Sequence, residues 1–96
     1  MEFLVLASRY VRQPERERVV MQAVLEAAEA VGAERVVRRR GNVYSTGVYI
    51  TNGKEKRLVY NDWEKNWGWR RVYEGMMASI RFTANVQQEQ MIYLTA

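Results

Sequence analysis

The sequence predicts a single α+β domain, on the basis of three observations. The chain begins with a short apolar run, continues with a segment of helical periodicity between Pro14 and Gly32, and then becomes rich in β-branched and aromatic residues around Asn52-Gly53. Apolar residues make up 48% of the chain and charged residues 27%, which is the balance of a globular protein. Because 96 residues leave no room for a second core, residues 1–96 are expected to form one domain.

The first predicted element is a strand. The run Phe3–Leu6 is short and apolar, which is typical of a buried strand at the centre of a sheet. A helix is predicted next, because Pro14 suits a first helical turn and Glu15 and Glu17 lie where the helix dipole favours negative charge. Gly32 then supplies a natural stop.

The apolar residues of this helix recur at helical spacing and predict the face that packs on the sheet. They are Val20, Met21, Val24, Leu25, Ala27, Ala28 and Val31. Glu26 and Glu29 fall outside this stripe and are expected to face solvent.

Strands are predicted after Gly32. The segment Arg35–Arg39 is expected to form the second strand, and Gly41-Asn42 marks a turn into a third strand over Val43–Thr51. Asn52-Gly53 then indicates a hairpin.

The register of this hairpin depends on the length of its loop. A two-residue loop at Asn52-Gly53 would place Val48 opposite Arg57, whereas a loop that extends to Glu55 places Val48 opposite Val59. The second register also pairs Tyr49 with Leu58. Because apolar side chains favour apolar partners across a sheet, the sequence favours the longer loop.

Residues 69–85 fit either a strand or a helix. As a strand, alternate residues from Met76 to Ala84 would line one face. As a helix, a broader apolar stripe forms from Trp69, Val72, Tyr73, Met76, Met77, Ile80 and Ala84. The helix leaves only Phe82 misplaced and is favoured, although Gly75 in its interior costs up to ~1 kcal/mol.

Asn85 is expected to end this second helix, and Met91–Thr95 is expected to form a final strand. The predicted fold is therefore a two-layer α+β sandwich of order βαβββαβ, with two helices on one face of a mostly antiparallel sheet. The alternative is one helix wrapped by a longer antiparallel sheet.

A group of short motifs in the middle of the chain resembles a known family. The motifs are Asn52-Gly53-Lys54-Glu55, Leu58-Val59, Asp62, Trp63 with Trp67 four residues later, and Arg81-Phe82. Over roughly residues 43–86 they resemble the Ycf-type family of small proteins from cyanobacteria, some plastid genomes and phages, although the chain has a shorter ending. The resemblance implies a helix over residues 69–85. It implies no catalytic or binding residues, because the family has no assigned activity.

The residue types exclude several classes of function. The chain contains no cysteine and no histidine, so disulfides and thiolate metal sites are impossible and the commonest general base is missing. No apolar run approaches the ~18 residues of a membrane span. The sequence therefore predicts a cytoplasmic, non-enzymatic protein without a metal or cofactor. The acidic residues Asp62, Glu64 and Glu74 are the weak competing candidates for acid–base chemistry.

Basic residues form the first candidate binding site. Seven of the fifteen lysines and arginines lie between residues 35 and 57, where Glu55 is the only acidic residue. They are Arg35, Arg38, Arg39, Arg40, Lys54, Lys56 and Arg57. Such a cluster is suited to neutralising phosphates, but charges along a strand edge also serve simply to block aggregation.

Aromatic residues form the second candidate. Tyr60, Trp63, Trp67 and Trp69 lie close to Arg70 and Arg71 in the sequence. Tryptophans beside arginines stack on bases or anchor protein interfaces, but in a small domain they also close the core. We expect one of Trp63 and Trp67 to be buried and the other partly exposed.

Two functions are predicted from these candidates. The favoured one is binding of nucleic acid or a nucleoprotein through the arginine-rich strand and hairpin. The alternative is a protein-interaction module or homodimer that uses the tryptophan segment or a sheet edge. Nucleic-acid binding predicts Arg38–Arg40 on the same surface as exposed aromatic residues, whereas a protein module predicts an exposed apolar patch with arginines only at its rim.

Overall fold

The computed structural model describes the backbone of residues 1–95 and the side chains of residues 1–82. Within these residues the chain forms four strands and two helices in the order βαβββα. Their bounds are β1 Glu2–Ser8, α1 Pro14–Val31, β2 Arg35–Gly41, β3 Gly47–Asn52, β4 Glu55–Asn61 and α2 Trp69–Thr95. The predicted α+β class is confirmed, and so is the order of elements as far as the second helix.

The strands form one mixed sheet in the order β2-β1-β3-β4. β1 pairs with β2 in parallel and with β3 in antiparallel orientation, and β3 pairs with β4 in antiparallel orientation. β1 is therefore a central strand, as predicted, and β2 and β4 lie at the two edges of the described sheet.

The core lies between one face of the sheet and the two helices. Phe3 and Val5 of β1 are buried on this face, whereas Leu4 and Leu6 are only partly buried, because successive side chains of a strand point to opposite faces. Among the side chains that the structure describes, the other buried hydrophobic residues are Ala7, Val20, Ala23, Val24, Ala27, Val48, Val59, Tyr60, Val72 and Met76.

The predicted bounds of α1 are confirmed. The helix ends where Gly32 adopts a positive φ of 68°, and the amides of Gly32 and Ala33 donate to the carbonyls of Glu29 and Ala28. The prediction for Leu25 is wrong, because its side chain is 55% exposed. It lies beside β2, where the sheet ends in arginine side chains instead of apolar ones.

The predicted register of the hairpin is confirmed for Asn52 opposite Glu55 and for Tyr49 opposite Leu58. Val48, however, lies opposite Tyr60 because β4 contains a bulge at this point. Gly53 has a φ of 68° in the loop. The third strand begins at Gly47 instead of Val43, and residues 42–46 form the connection from β2.

The helical prediction for residues 69–85 is confirmed, but the expected final strand over Met91–Thr95 is wrong. α2 continues through Asn85 to Thr95. The sequence has no glycine or proline after Gly75, and the intervening glutamine, glutamate and methionine residues have good helix propensity. A single asparagine is insufficient to end a helix in that context.

Candidate functional site

The pleat of β2 divides the predicted arginine run between the two faces of the sheet. Arg38 lies beside Val5, whose side chain is buried against the helices, and Arg39 lies beside Leu6 on the opposite face. Arg40 returns to the helix-covered face, where it lines a cleft with Arg38. Consecutive arginines in a strand therefore belong to different surfaces.

The cations of the hairpin lie far from this run. β2 and β4 are at opposite edges of the sheet, three strand spacings or ~14 Å apart. The hairpin cations are Lys54, Lys56 and Arg57, and the ammonium of Lys56 lies 4.7 Å from the ring centroid of Tyr49. Arg35 forms an ion pair of 2.9 Å with Glu2. The structure therefore does not bring the seven predicted cations together.

A cleft of about 590 Å³ lies between α1 and β2, and we call it the arginine groove. Its arginines are Arg12, Arg18, Arg38 and Arg40. The side chains of Met21 and Leu25 contribute apolar surface, and its acidic lining residues are Glu17 and Glu26. Four arginines face two glutamates, so the groove has a positive net charge.

Glu17 holds two of these arginines in place. Its Oε1 atom accepts a hydrogen bond of 2.9 Å from Arg40 and lies 3.6 Å from Nη2 of Arg38. Arg40 also donates to the carbonyl of Ser8, at 2.9 Å. Arg40 is therefore fixed, whereas Arg38 makes only the longer ion pair with Glu17, and 57% of its side chain is exposed to a ligand.

An exposed aromatic pair lies in the loops that follow β1 and β2. The rings of Tyr10 and Tyr44 lie 5.5 Å apart at an interplanar angle of 30°, and the residues are 57% and 68% exposed. The amide of Tyr10 donates to Oγ of Ser8, the residue whose carbonyl accepts from Arg40. The phenol of Tyr10 donates to Oδ1 of Asn42, which joins the loops that follow β1 and β2.

Sequence reasoning missed four residues of this site, namely Tyr10, Arg12, Arg18 and Tyr44. A local signal was present, because Arg9-Tyr10-Val11-Arg12 places an aromatic residue between two arginines in a loop. The glutamates among residues 1–34 outweigh these arginines in the net charge of that region, so the local cluster does not appear in the regional charge.

None of the three tryptophans lines the arginine groove. Residues 62–68 form a turn and irregular backbone, in which Trp63 is 59% exposed while Trp67 packs partly buried against the core. The guanidinium of Arg71 lies 4.4 Å from the Trp67 ring centroid, and that of Arg70 lies 5.5 Å from the ring of Trp69. The prediction of one buried and one partly exposed tryptophan is therefore wrong in degree, because both are more exposed than expected.

The three acidic residues differ in burial and in their hydrogen bonds. Glu64 and Glu74 are exposed, whereas Asp62 is buried in a structural network. Its two carboxylate oxygens accept hydrogen bonds of 2.9 and 2.7 Å from Arg16 of α1, and Oδ1 also accepts one from the phenol of Tyr60. Burial is the main cause that raises the pKa of Tyr60, and the hydrogen bond to Asp62 raises it further.

Comparisons with known proteins add no relative. No protein-family model matches the chain, and neither a curated protein nor a solved structure matches it. The resemblance to the Ycf-type family therefore stays a prediction. Within the described residues, no group of three or more acidic side chains is placed to hold a metal ion. In the same part of the chain, neither helix has the length and apolar character needed to cross a membrane.

Proposed function

We propose that this protein binds single-stranded nucleic acid through the arginine groove and the Tyr10–Tyr44 pair. The observation that carries the proposal is that Ser8 contacts both features, since it accepts hydrogen bonds from the Arg40 guanidinium and from the backbone amide of Tyr10. Proteins that bind single strands combine a positive groove for the phosphates with aromatic side chains on which bases stack.

The groove supplies the electrostatic part of this interaction. Arg12, Arg18 and Arg38 are exposed, so their guanidinium groups are free to make bidentate contacts with phosphate oxygens. Glu17 offsets part of the charge but also fixes Arg40, which reduces the side-chain entropy that Arg40 loses on binding. Four arginines are enough to neutralise up to about four phosphates.

The tyrosine pair supplies the stacking part. Both residues are more than half exposed, and the hydrogen bond from Tyr10 to Asn42 and the contact between the two rings hold them in place before a ligand arrives. Stacking of a base on such a ring contributes about 1–3 kcal/mol and requires an unpaired base. This favours a single strand over a duplex.

Two variants with equal loss of charge test the role of the groove. The groove variant replaces Arg12, Arg18 and Arg38 with glutamine. The matched variant replaces Arg39, Lys54 and Arg81, which are exposed on the open sheet face, in the hairpin loop and on α2. Binding is measured by fluorescence polarisation with a labelled oligouridylate of twelve nucleotides, over a range of salt concentrations from low to moderate.

The groove variant is expected to lose at least about tenfold in affinity at low salt. A plot of the logarithm of its binding constant against the logarithm of salt concentration should have a slope shallower by about 2 than that of the parent protein. The matched variant should lose less than about threefold. Equal losses in the two variants, or weak binding by the parent protein at low salt, would contradict the proposal. Tyr10→Leu should also weaken binding, whereas Trp63→Leu, which alters an exposed aromatic residue elsewhere, should leave it unchanged.

A further inference from the structure

A second concave surface lies at the opposite edge of the sheet, between β4 and α2. It has a volume of about 330 Å³, and we call it the β4 groove. The lining residues that matter here are Leu58, Tyr60, Lys65, Trp67, Gly75 and Ser79. It is separate from the arginine groove, which lies beside β2.

The backbone of β4 offers hydrogen-bonding groups along this groove. Within the described residues β3 is the one strand that pairs with β4, so alternate residues of β4 direct their N–H and C=O groups away from the sheet. Leu58 adds half-exposed apolar surface at this edge. Such an edge is the template that extended peptides use when they add a strand to a sheet.

Small residues on α2 keep the groove open. Gly75 and Ser79 are four residues apart and therefore share one face of the helix. A Cβ atom on Gly75 would lie only 3.3 Å from Cζ3 of Trp67, so the glycine allows the indole to pack closely against the helix. The helix interior tolerates Gly75 despite its poor propensity, and the groove gains space from it.

Two cations lie close to the aromatic residues that line the groove. The ammonium of Lys65 lies 5.2 and 5.4 Å from the ring centroids of Tyr60 and Trp67, and the guanidinium of Arg71 lies 4.4 Å from the Trp67 ring. None of the described lining residues of this groove carries a carboxylate. The groove is therefore complementary to negative charge.

We infer that the β4 groove binds an extended acidic segment of a partner protein, which adds to the sheet as a fifth strand beside β4. The unpaired strand edge selects a polypeptide, because its N–H and C=O groups match another backbone strand. Lys65 and Arg71 select acidic side chains on one face of the added strand, and the exposed surface of Leu58, which lies on the open face of the sheet, accepts an apolar residue on the other. This surface is independent of the proposed nucleic-acid function.

The probe for a first experiment is a fluorescein-labelled octapeptide of alternating valine and glutamate. We expect it to shift the amide resonances of Glu55–Asn61 while those of the other edge, Arg35–Gly41, stay unchanged. Peptides with an N-methyl group at single positions should lose affinity with a period of two, because alternate amides of an added strand bond to β4. The octapeptide with lysine in place of glutamate should bind at least about tenfold more weakly.

Two substitutions on neighbouring positions of α2 test the location. Ser79→Leu fills the groove and should reduce peptide affinity at least about tenfold. Ala78→Leu adds the same side chain at an exposed position outside the groove lining and should change affinity less than about twofold. Lys65→Gln, which retains the stem over the aromatic rings, should weaken binding of the acidic peptide. Melting temperatures of all three variants show whether they remain folded.

Several results would overturn the inference. These are shifts that map to β2 instead of β4, an N-methyl series without a period of two, or equal effects of Ser79→Leu and Ala78→Leu. A dimer of the pure protein that Ser79→Leu disrupts and the peptide fails to disrupt would show that a second copy occupies the groove. The variant lacking Arg12, Arg18 and Arg38 should bind the peptide normally, and this separates the inference from the proposed function.

Discussion

Replacing Arg16 with methionine should destabilise the protein by about 3 kcal/mol, because the substitution leaves a buried carboxylate without its cation. The side chain of Asp62 is 2% exposed and that of Arg16 is 20% exposed. Arg16 donates to both oxygens of Asp62 and, at 2.7 Å, to the carbonyl of Trp67. These bonds connect α1 to the segment that follows β4.

The magnitude follows from what remains after the substitution. Asp62 would keep the hydrogen bond from Tyr60 but lose two charge-assisted bonds from Arg16. Removing one partner of a buried ion pair costs about 3–5 kcal/mol, and we take the lower end because water reaches part of Arg16. For a domain of this size each kcal/mol lowers the melting temperature by roughly 4–8 °C, so the expected shift is roughly 12–24 °C.

Urea unfolding followed by tryptophan fluorescence and by circular dichroism measures this effect. The control is Arg18→Met, which makes the same change two residues away on the exposed side of α1 and should stay within about 0.5 kcal/mol of the parent. Asp62→Asn combined with Arg16→Met should cost less than the sum of the two single changes. A loss below about 1 kcal/mol for Arg16→Met, or one equal to that of Arg18→Met, would refute the reasoning.

Three further outcomes are expected. Val24→Asp places a charge at a fully buried position and should unfold the protein. Glu26→Ala, at an exposed position of the same helix, should change the free energy of unfolding by less than about 0.5 kcal/mol. Similar effects of the two substitutions would mean that a different face of α1 is buried. Because the pKa of Tyr60 is raised in the folded protein, the Tyr60 phenol loses its proton at a lower pH in the unfolded chain than in the folded one. The contribution of Tyr60 to the free energy of unfolding is therefore complete below about pH 10 and declines above it. In Tyr60→Phe, the free energy of unfolding measured with urea from pH 8 to 11 should decline less steeply than in the parent protein, by up to about 1.4 kcal/mol per pH unit. The same pH dependence in both proteins would contradict the raised pKa of Tyr60. Gly53→Ala should cost about 1–2 kcal/mol because of its positive φ, while Gly68→Ala should not, as the same unfolding assay would show.

Local signals were sufficient for much of the fold. Pro14 and Gly32 marked the first helix because one suits its first turn and the other adopts a left-handed conformation after its last. Cross-strand pairing of like residues predicted the hairpin register as far as the bulge. The final strand over Met91–Thr95 was mispredicted because a short apolar run fits either element, and the continuing helix propensity of the preceding residues decided the outcome.

The candidate site was predictable only in part. Arg38 and Arg40 were identified from composition, but their neighbour Arg39 belongs to the other face, which the strand's alternation decides. Arg12 and Arg18 join them because α1 packs beside β2, a contact between segments distant in the sequence. No pattern within a single segment contains that information.

The sequence by itself determined most of the helices and strands, most of the buried face of the first helix, and that cysteine and histidine chemistry is absent. These properties depend on the residue types and on spacings of two to four positions, which the backbone geometry converts directly into faces. The tertiary structure alone decided that β2 and β4 lie at opposite edges, which separates Arg38 and Arg40 from Lys54, Lys56 and Arg57. Strand order depends on how the elements pack together to bury one common core, and this is a property of the whole chain.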